Sequence, residues 1–310
     1  MSAIDGAADL ISVARQYWKF SPPAAITYGS DPAIDYVTAQ PTPGRVIAAP
    51  LSPEMASHDP FLNGDALMAH QIRLTLGYHG NELRRYQQLV GKERGYANLF
   101  ENPNVLALTN SRYLYTNAPV PSLTRLVGPA QNAAGTTVYL YQMPGENPAA
   151  WVTPISIKAG DDAALATLLD PRFDPRRATI FDTAAAIPSA RTDVQDLRLP
   201  DTLSLAVRVS TYEPGRIVLQ LEGEVPAGAA LVVSENYYPG WRATVDGVSA
   251  PIGRADYTLI GVELPAGGRV LELAFHDPAQ GKGKAITLVS LGAAGAAMLL
   301  GLVLPVRRRA

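Results

Sequence analysis

The chain has 310 residues, of which 47% are hydrophobic, so it is long and apolar enough for two domains with a real core. Its net charge of −2, without a basic patch interleaved with aromatic residues, argues against nucleic acid as a partner. The absence of cysteine excludes disulfides, thiol catalysis and cysteine-based zinc sites.

The first half of the chain mixes short helical and strand patterns. Residues 5–20 have helical spacing, typical of an amphipathic core helix, and the proline-rich residues 21–43 predict a loop. Predicted strands follow at 45–49, 112–116, 123–127, 137–142, 151–157 and 178–181, and predicted helices at 65–70, 82–90, from Pro103, and at 161–169. Because strands and helices do not alternate regularly, we predict that residues 1–186 form one mixed α+β extracytoplasmic domain.

The second half reads as a β-domain. Residues 187–200 are polar with two prolines and predict a linker. Beyond them we predict seven strands, at 203–211, 216–222, 230–235, 241–245, 248–252, 257–263 and 269–276. Short strands at this spacing, separated by Pro-Gly and Asp-Gly turns, indicate a β-sandwich over residues 201–280.

The stretch Asn236–Gly247 gives the clearest local prediction in this β-domain, a turn followed by a strand and a hairpin. Pro239-Gly240 is a turn pair, and the alternation after it places Trp241, Ala243 and Val245 on one face of a strand. Asp246-Gly247 is a strong hairpin signal. Trp241 is therefore predicted to be a buried anchor.

Residues 285–306 carry no charge and would form a helix about 33 Å long, which matches a hydrocarbon core of roughly 30 Å. We predict a transmembrane helix here, joined flexibly to the sandwich by 281–284; a buried core helix is the alternative. Three arginines in the tail 307–310, against Lys282 and Lys284 at the other end, favour a cytoplasmic C-terminus. The globular part is then extracytoplasmic at the cell membrane.

A globular part outside the membrane must be exported, but residues 1–5 have neither the basic region nor the apolar region of a signal peptide. Either the orientation is reversed, as in a tail-anchored protein, or membrane helices precede this chain. Ala293, Ala297 and Gly301 form a small-residue stripe typical of packing against neighbouring helices.

Several strings carry a family resemblance. Tyr237–Gly247 resembles a signature near the C-terminus of YfhO-like bacterial membrane proteins, and matching pieces precede it in order. These pieces are Gly77–Asn81 with Arg85-Tyr86, then Asn98–Phe100, then Asn147–Val152, in which Ala149-Ala150 departs from the Pro-Arg pair of many relatives. Asp9-Leu10 and Arg15–Tyr17 also resemble the stretch that follows a membrane helix in this family, which is the alternative to a core helix at 5–20.

Such proteins are polytopic and of the GT-C glycosyltransferase type. The resemblance implies transfer of a sugar from a polyprenyl-phosphate carrier to a cell-envelope polymer, with catalysis at an acidic residue in an early loop, upstream of Met1. It therefore implies an accessory region that shapes or binds the acceptor, with upstream transmembrane helices as partners and without catalytic residues, cofactor or metal of its own. The alternative is a stand-alone membrane-anchored carbohydrate-binding or structural module.

The residues themselves give little catalytic signal. His58, His70, His79 and His276 lack metal-ligand spacing, and no nucleophile elbow or phosphate loop is present. Asp161-Asp162 is explained by a helix start. The candidate carbohydrate-binding residues are Tyr237, Tyr238, Trp241, Asp246 and Tyr257, whose rings suit either stacking on a sugar or packing in a core.

Overall fold

The structure is a computed structural model that describes residues 10–15, 17, 20, 22–40, 44–52, 59–77, 80–193 and 198–303. Over these residues it is a mixed α+β protein with a β-rich C-terminal region, as the sequence predicts. His58, His79 and the tail 307–310 lie outside the described residues, as do parts of the 5–20 helix and of the 187–200 linker.

The chain forms two compact units whose boundary differs from the predicted one at 187–200. The first unit comprises Met1–Leu83 and Leu106–Pro148, and the second comprises Arg84–Val105 and Ala149–Ala310. Residues on both sides of the predicted linker therefore belong to the second unit. The reason is sheet pairing, because strands that precede the linker hydrogen-bond to strands that follow it.

The first unit contains a four-stranded sheet in the order β1-β2-β4-β3. Its strands are β1 Arg45–Ala49, β2 Ser111–Thr116, β3 Thr124–Gln131 and β4 Thr137–Gln142. β1 and β2 are parallel, and the other pairs are antiparallel. Helical segments in this unit span Ala24–Thr27, Pro32–Thr38, Pro60–Asn63 and Ala66–His70.

The predicted loop at 21–43 is wrong, since two helices lie within it. Asp31 accepts hydrogen bonds from the amides of Ala33 (2.7 Å) and Ile34 (3.0 Å), and Pro32 occupies the first helical turn. A proline there sacrifices no intrahelical hydrogen bond, so Asp-Pro begins this helix. Asp31 also accepts the hydroxyl proton of Tyr115 at 2.8 Å, which ties the helix to β2.

The second unit is a β-sandwich of two sheets. The six-stranded sheet has the order β5-β10-β14-β13-β7-β6 and the five-stranded sheet the order β12-β11-β15-β9-β8. The strands are β5 Ala150–Thr153, β6 Ser156–Ala159, β7 Thr179–Asp182, β8 Ala206–Glu213, β9 Arg216–Glu222, β10 Ala230–Asn236, β11 Trp241–Val245, β12 Val248–Ala250, β13 Ile252–Ala255, β14 Leu259–Glu263 and β15 Val270–Phe275. Helical segments in this unit span Arg84–Val90, Lys92–Arg94, Ala97–Glu101, Asp161–Leu169 and Pro278–Val303, while Pro103–Leu108 crosses into the first unit.

Both sheets contribute to one apolar core, which makes the sandwich. Leu231 and Val233 of the six-stranded sheet share that core with Leu271 and Leu273 of the five-stranded sheet. The opposite face of the six-stranded sheet is also covered, because Phe181 packs there with Ala230 and Ala255 in a second cluster. Strands buried on both faces read as continuous apolar runs, and Leu231–Val233 has this pattern.

The last element, Pro278–Val303, is called the terminal helix below. It begins where Asp277 accepts a hydrogen bond from the amide of Ala279 at 2.8 Å, so the predicted flexible linker at 281–284 is helical instead. Its segment Ala279–Gly301 is long and apolar enough to cross a membrane, and no part of it is buried against the protein. The predicted alternative of a buried core helix is therefore wrong.

Candidate functional site

Three rings, Tyr238, Trp241 and Phe275, form what we call the aromatic cluster, at one end of the five-stranded sheet, and Tyr237 precedes them in the chain. The rings of Trp241 and Phe275 meet edge-on with centroids 5.3 Å apart, and those of Tyr238 and Phe275 lie 6.0 Å apart. Tyr237 and Trp241 are half-buried against the sandwich core, whereas Tyr238 is 60% exposed. The cluster therefore closes the core at this end and leaves one ring largely in solvent.

The Pro239-Gly240 turn fits this cluster because residue 240 has no side chain. A Cβ atom on Gly240 would lie 2.7 Å from the Phe275 ring and 2.8 Å from the carbonyl oxygen of His276. The amide of His276 donates to the Gly240 carbonyl at 2.9 Å. The glycine permits the close approach that joins the turn to the end of β15.

Asp246 lies at the other end of β11 from Trp241, roughly 16 Å away at about 3.3 Å per residue. Its carboxylate accepts hydrogen bonds from the amides of Arg269 (3.1 Å) and Val270 (2.9 Å) at the start of the neighbouring strand β15. The residue has a φ of 50°, which the Asp-Gly turn requires. The carboxylate of Asp246 thus binds the start of β15 and does not join the aromatic cluster.

Tyr257 is buried in the turn between β13 and β14. Its hydroxyl donates to Oε1 of Gln88 at 2.7 Å, and burial raises the pKa of Tyr257. The five predicted carbohydrate-binding residues are therefore dispersed: Tyr238 and Trp241 lie in the aromatic cluster, Tyr237 packs against the core, and Asp246 and Tyr257 lie in two separate turns. Sugar binding stays a prediction, and of these five only Tyr238 presents a largely exposed ring.

A group of charged side chains, which we call the ionic cluster, consists of Arg85, Asp161, Asp182 and Arg254. Asp161 accepts from Arg254 at 2.8 Å and from Arg85 at 2.8 Å, and Asp182 also pairs with Arg254. Arg254 is only 14% exposed and donates to the carbonyl of Tyr257 as well, at 2.8 Å. These pairs join the start of the helix Asp161–Leu169 to β7, β13 and the helix Arg84–Val90.

The ionic cluster keeps both of its carboxylates charged. Burial raises the pKa of Asp161, but hydrogen bonds and charge from Arg85 and Arg254 outweigh burial, and the net pKa is lowered. Burial likewise raises the pKa of Asp182, but the hydrogen bond from the Ala184 amide and the charge of Arg254 outweigh burial, so the net pKa is lowered. Two lowered carboxyl pKa values are unsuited to general acid catalysis near neutral pH. The cluster reads as an internal brace.

Asp256 is the one fully buried carboxyl in this region with a raised pKa, about 7, and desolvation is the main cause. Its amide donates to the Ile180 carbonyl, and its Oδ1 atom accepts from the Ile180 amide, both at 2.8 Å. Oδ2 has no hydrogen-bond partner. Asp256 therefore hydrogen-bonds to Ile180 of β7 as a residue of a neighbouring strand would, and its carboxylate has no positively charged partner.

Among the described residues, no group of three or more histidine, aspartate or glutamate side chains is placed to hold a metal ion. Of the two described histidines, His276 is exposed and His70 is half-buried.

The shorter strings behind the family resemblance have structural roles where they are described. Asn98 donates to the carbonyl of Leu89 at 3.1 Å, near the end of the helix Arg84–Val90. Asn147, with a φ of 44°, donates to the carbonyls of Ser111 (2.7 Å) and Pro144 (2.9 Å). Both asparagines satisfy buried or half-buried backbone carbonyls.

Sequence reasoning missed Arg254 and Asp182. Arg254 stands between Gly253 and Ala255 on a strand that is otherwise apolar. An arginine in such a strand signals a paired charge, because an unpaired buried charge is strongly unfavourable. Its partners could not have been read from the sequence, since they lie 93 and 72 residues away.

Comparison with protein-family models gave no match, and comparisons with curated proteins and with solved structures gave none either. The fold and these sites define a two-unit α+β protein with a β-sandwich that leads into a helix long and apolar enough to span a membrane.

Proposed function

We propose that this chain is the extracytoplasmic, C-terminal accessory region of a YfhO-like polytopic membrane protein, held at the cell membrane by the terminal helix. In this proposal the complete protein transfers a lipid-linked sugar to a cell-envelope polymer, and this region shapes or binds the acceptor. The observation that carries the membrane role is the terminal helix, whose apolar side chains are exposed along its length. Such a helix in water is strongly unfavourable, and lipid or other membrane helices would remove that exposure.

The accessory role is supported by the way the charged groups are used. Arg254 pairs with both Asp161 and Asp182, and the carboxylate of Asp246 accepts hydrogen bonds from the start of β15. The proposed family assignment rests on the resemblance of Tyr237–Gly247. Within this stretch, Tyr237 and Trp241 pack against the core of the sandwich.

The test of membrane placement uses the gene in its own chromosomal context, so that any neighbouring membrane segments are retained. Val248 lies on β12 and is exposed, so we would replace it with cysteine (Val248→Cys). A membrane-impermeant maleimide should label this variant in intact cells, while the parent protein reports background labelling. Labelling only after lysis would overturn the extracytoplasmic placement, and extraction by alkaline carbonate without detergent would overturn membrane anchoring.

The family assignment has a separate and inexpensive test. An open reading frame that encodes about ten membrane helices directly upstream and in frame would support it. A stop codon and an independent promoter immediately before Met1 would instead favour the stand-alone module.

A stand-alone carbohydrate-binding module is the second candidate, and the exposed ring of Tyr238 favours it. Titration of the full chain in detergent with isolated envelope glycans tests it. Binding that is lost in Tyr238→Ala and kept in Val248→Ala would support sugar stacking. Absence of any binding would remove this role and leave the scaffold role.

A further inference from the structure

Three chain connections meet at the end of the five-stranded sheet from which the terminal helix departs. They are the turn at Pro214-Gly215, the turn at Pro239-Gly240 and the junction His276-Asp277. Hydrogen bonds lock them together, because Phe275 donates to the Gly215 carbonyl at 2.8 Å and His276 donates to the Gly240 carbonyl at 2.9 Å. This end of the five-stranded sheet, called the helix-proximal end below, is therefore a fixed surface.

The helix-proximal end presents aromatic rings of amphipathic character. Trp241 continues the inward-facing row of β11 after Ala243 and packs against the core, and the exposed ring of Phe275 covers Trp241 edge-on. The side of the aromatic cluster that faces away from the core is exposed to solvent, since Phe275 is 36% and Tyr238 is 60% exposed. Tyrosine and tryptophan are enriched where a protein meets the membrane–water interface, because one part of each side chain is apolar and another is polar.

Chain connectivity brings these rings close to the depth at which a spanning helix enters lipid. Only His276 and Asp277 separate Phe275 from the terminal helix. The first seven helical residues, Pro278 to Lys284, rise about 10 Å, and the headgroup layer on each side of a bilayer is roughly 5–7 Å thick. Lys282 and Lys284 carry long side chains that reach phosphate groups from within this layer.

We propose that the helix-proximal end rests on the bilayer surface, with Tyr238 and Phe275 inserted at the boundary between headgroups and acyl chains. This inference rests on the proposed membrane span of the terminal helix. The occupant of the exposed aromatic surface is then phospholipid. The sandwich is held in a fixed orientation, with the Asp246-Gly247 hairpin at the opposite end of β11, facing away from the membrane.

The chain contains no cysteine, so single cysteines can carry spin labels without other changes. We would make Tyr238→Cys at the helix-proximal end, Val248→Cys beside the opposite hairpin and Leu291→Cys within the terminal helix. A fourth variant, Glu213→Cys, labels an exposed site next to the Pro214-Gly215 turn and leaves the aromatic cluster intact. Each full-length variant is reconstituted into phosphatidylcholine–phosphatidylglycerol vesicles, and collision of the label with oxygen and with a water-soluble nickel chelate reports its depth.

We expect the ratio of oxygen to nickel collisions to be highest at 291. At 238 it should be several-fold above the value at 248, and 213 should show a smaller increase in the same direction. Equal, fully aqueous ratios at 213, 238 and 248 together with a deep 291 would overturn the surface docking and leave the membrane span intact. An aqueous 291 would overturn the span itself. A value at 213 above that at 248 supports docking even if the cysteine at 238 disturbs the aromatic cluster.

Discussion

Arg254 donates a 2.8 Å hydrogen bond to the carboxylate of Asp161, a residue 93 positions earlier in the chain. The contact joins strand β13 to the first turn of the helix Asp161–Leu169, where a negative charge also complements the helix dipole. Because Arg254 is 14% exposed, this pair is shielded from solvent far more than the Arg208–Glu222 and Arg216–Glu272 pairs.

Removal of the guanidinium should therefore destabilise the second unit. In Arg254→Met, Asp182 loses its arginine partner and Asp161 keeps only Arg85. We expect a loss of about 2–3 kcal/mol in the free energy of unfolding, measured by denaturant unfolding in detergent. The matched control is Arg216→Met, which breaks an exposed pair with Glu272 and should change stability little. Equal effects of the two substitutions would contradict the bracing role.

The same cluster predicts how stability responds to acid. The pKa values of Asp161 and Asp182 are lowered in the folded protein below the ordinary 3.8. Their stabilisation is therefore complete above pH ~4 and is lost as the pH falls through the lower folded values. The stability gap between the parent and Arg254→Met should shrink as the pH falls from about 5 to 2. A gap that stays constant over this range would show that packing of the arginine stem, and not charge pairing, accounts for it.

Asp256 predicts a pH response of the opposite sign. Its folded pKa is raised to about 7 by burial, whereas the unfolded chain releases the proton near 3.8. Between these values the unfolded state binds fewer protons, so the free energy of unfolding falls as the pH rises from about 4 to 7. Above pH 7 the penalty is fully present, and below pH 4 it is absent.

Asp256→Asn should remove this penalty. The amide oxygen can still accept the Ile180 amide, and the neutral side chain carries no charge to desolvate. We expect the variant to exceed the parent in thermal stability at pH 8, at about 1.4 kcal/mol per unit of pKa shift removed, and to match it near pH 3.5. A parent protein that is more stable than the variant at pH 8 would contradict the raised pKa.

Gly261 should tolerate no side chain. It faces Gly253 across β13 and β14, and a Cβ atom there would lie 2.5 Å from both the Ala255 methyl and the Phe181 ring. Gly261→Ala should lower stability by about 1–3 kcal/mol through overpacking. The control, Gly160→Ala, adds its methyl to open space at a φ of −70° and should have little effect. Comparable melting temperatures for the two variants would show that the sheet relaxes around residue 261.

Local pattern located many of the elements correctly. The bounds of β1, β4, β9 and β11 and of the helix Asp161–Leu169 agree with the prediction, because alternation, turn residues and an acidic helix start are written into neighbouring residues. The prediction of a loop at 21–43 is wrong because it takes proline only as a residue that ends helices, whereas Asp31-Pro32 begins one. Trp241 was correctly placed on the face of Ala243 and Val245.

Local sequence pattern was enough to predict the α+β class, the sandwich turns and the apolar terminal helix, because each depends on residues within one or two turns or strands of one another. Trp241, predicted to be a buried anchor, is instead only half-buried against the core. The strands from 150–182 join the same sheet as β10, β13 and β14, and Arg254 pairs with Asp161 and Asp182, only through long-range contacts of the folded chain. Strand partners and ion pairs are selected by burial and register across tens of residues. Many pairings have similar local propensities, so only the packed core distinguishes among them.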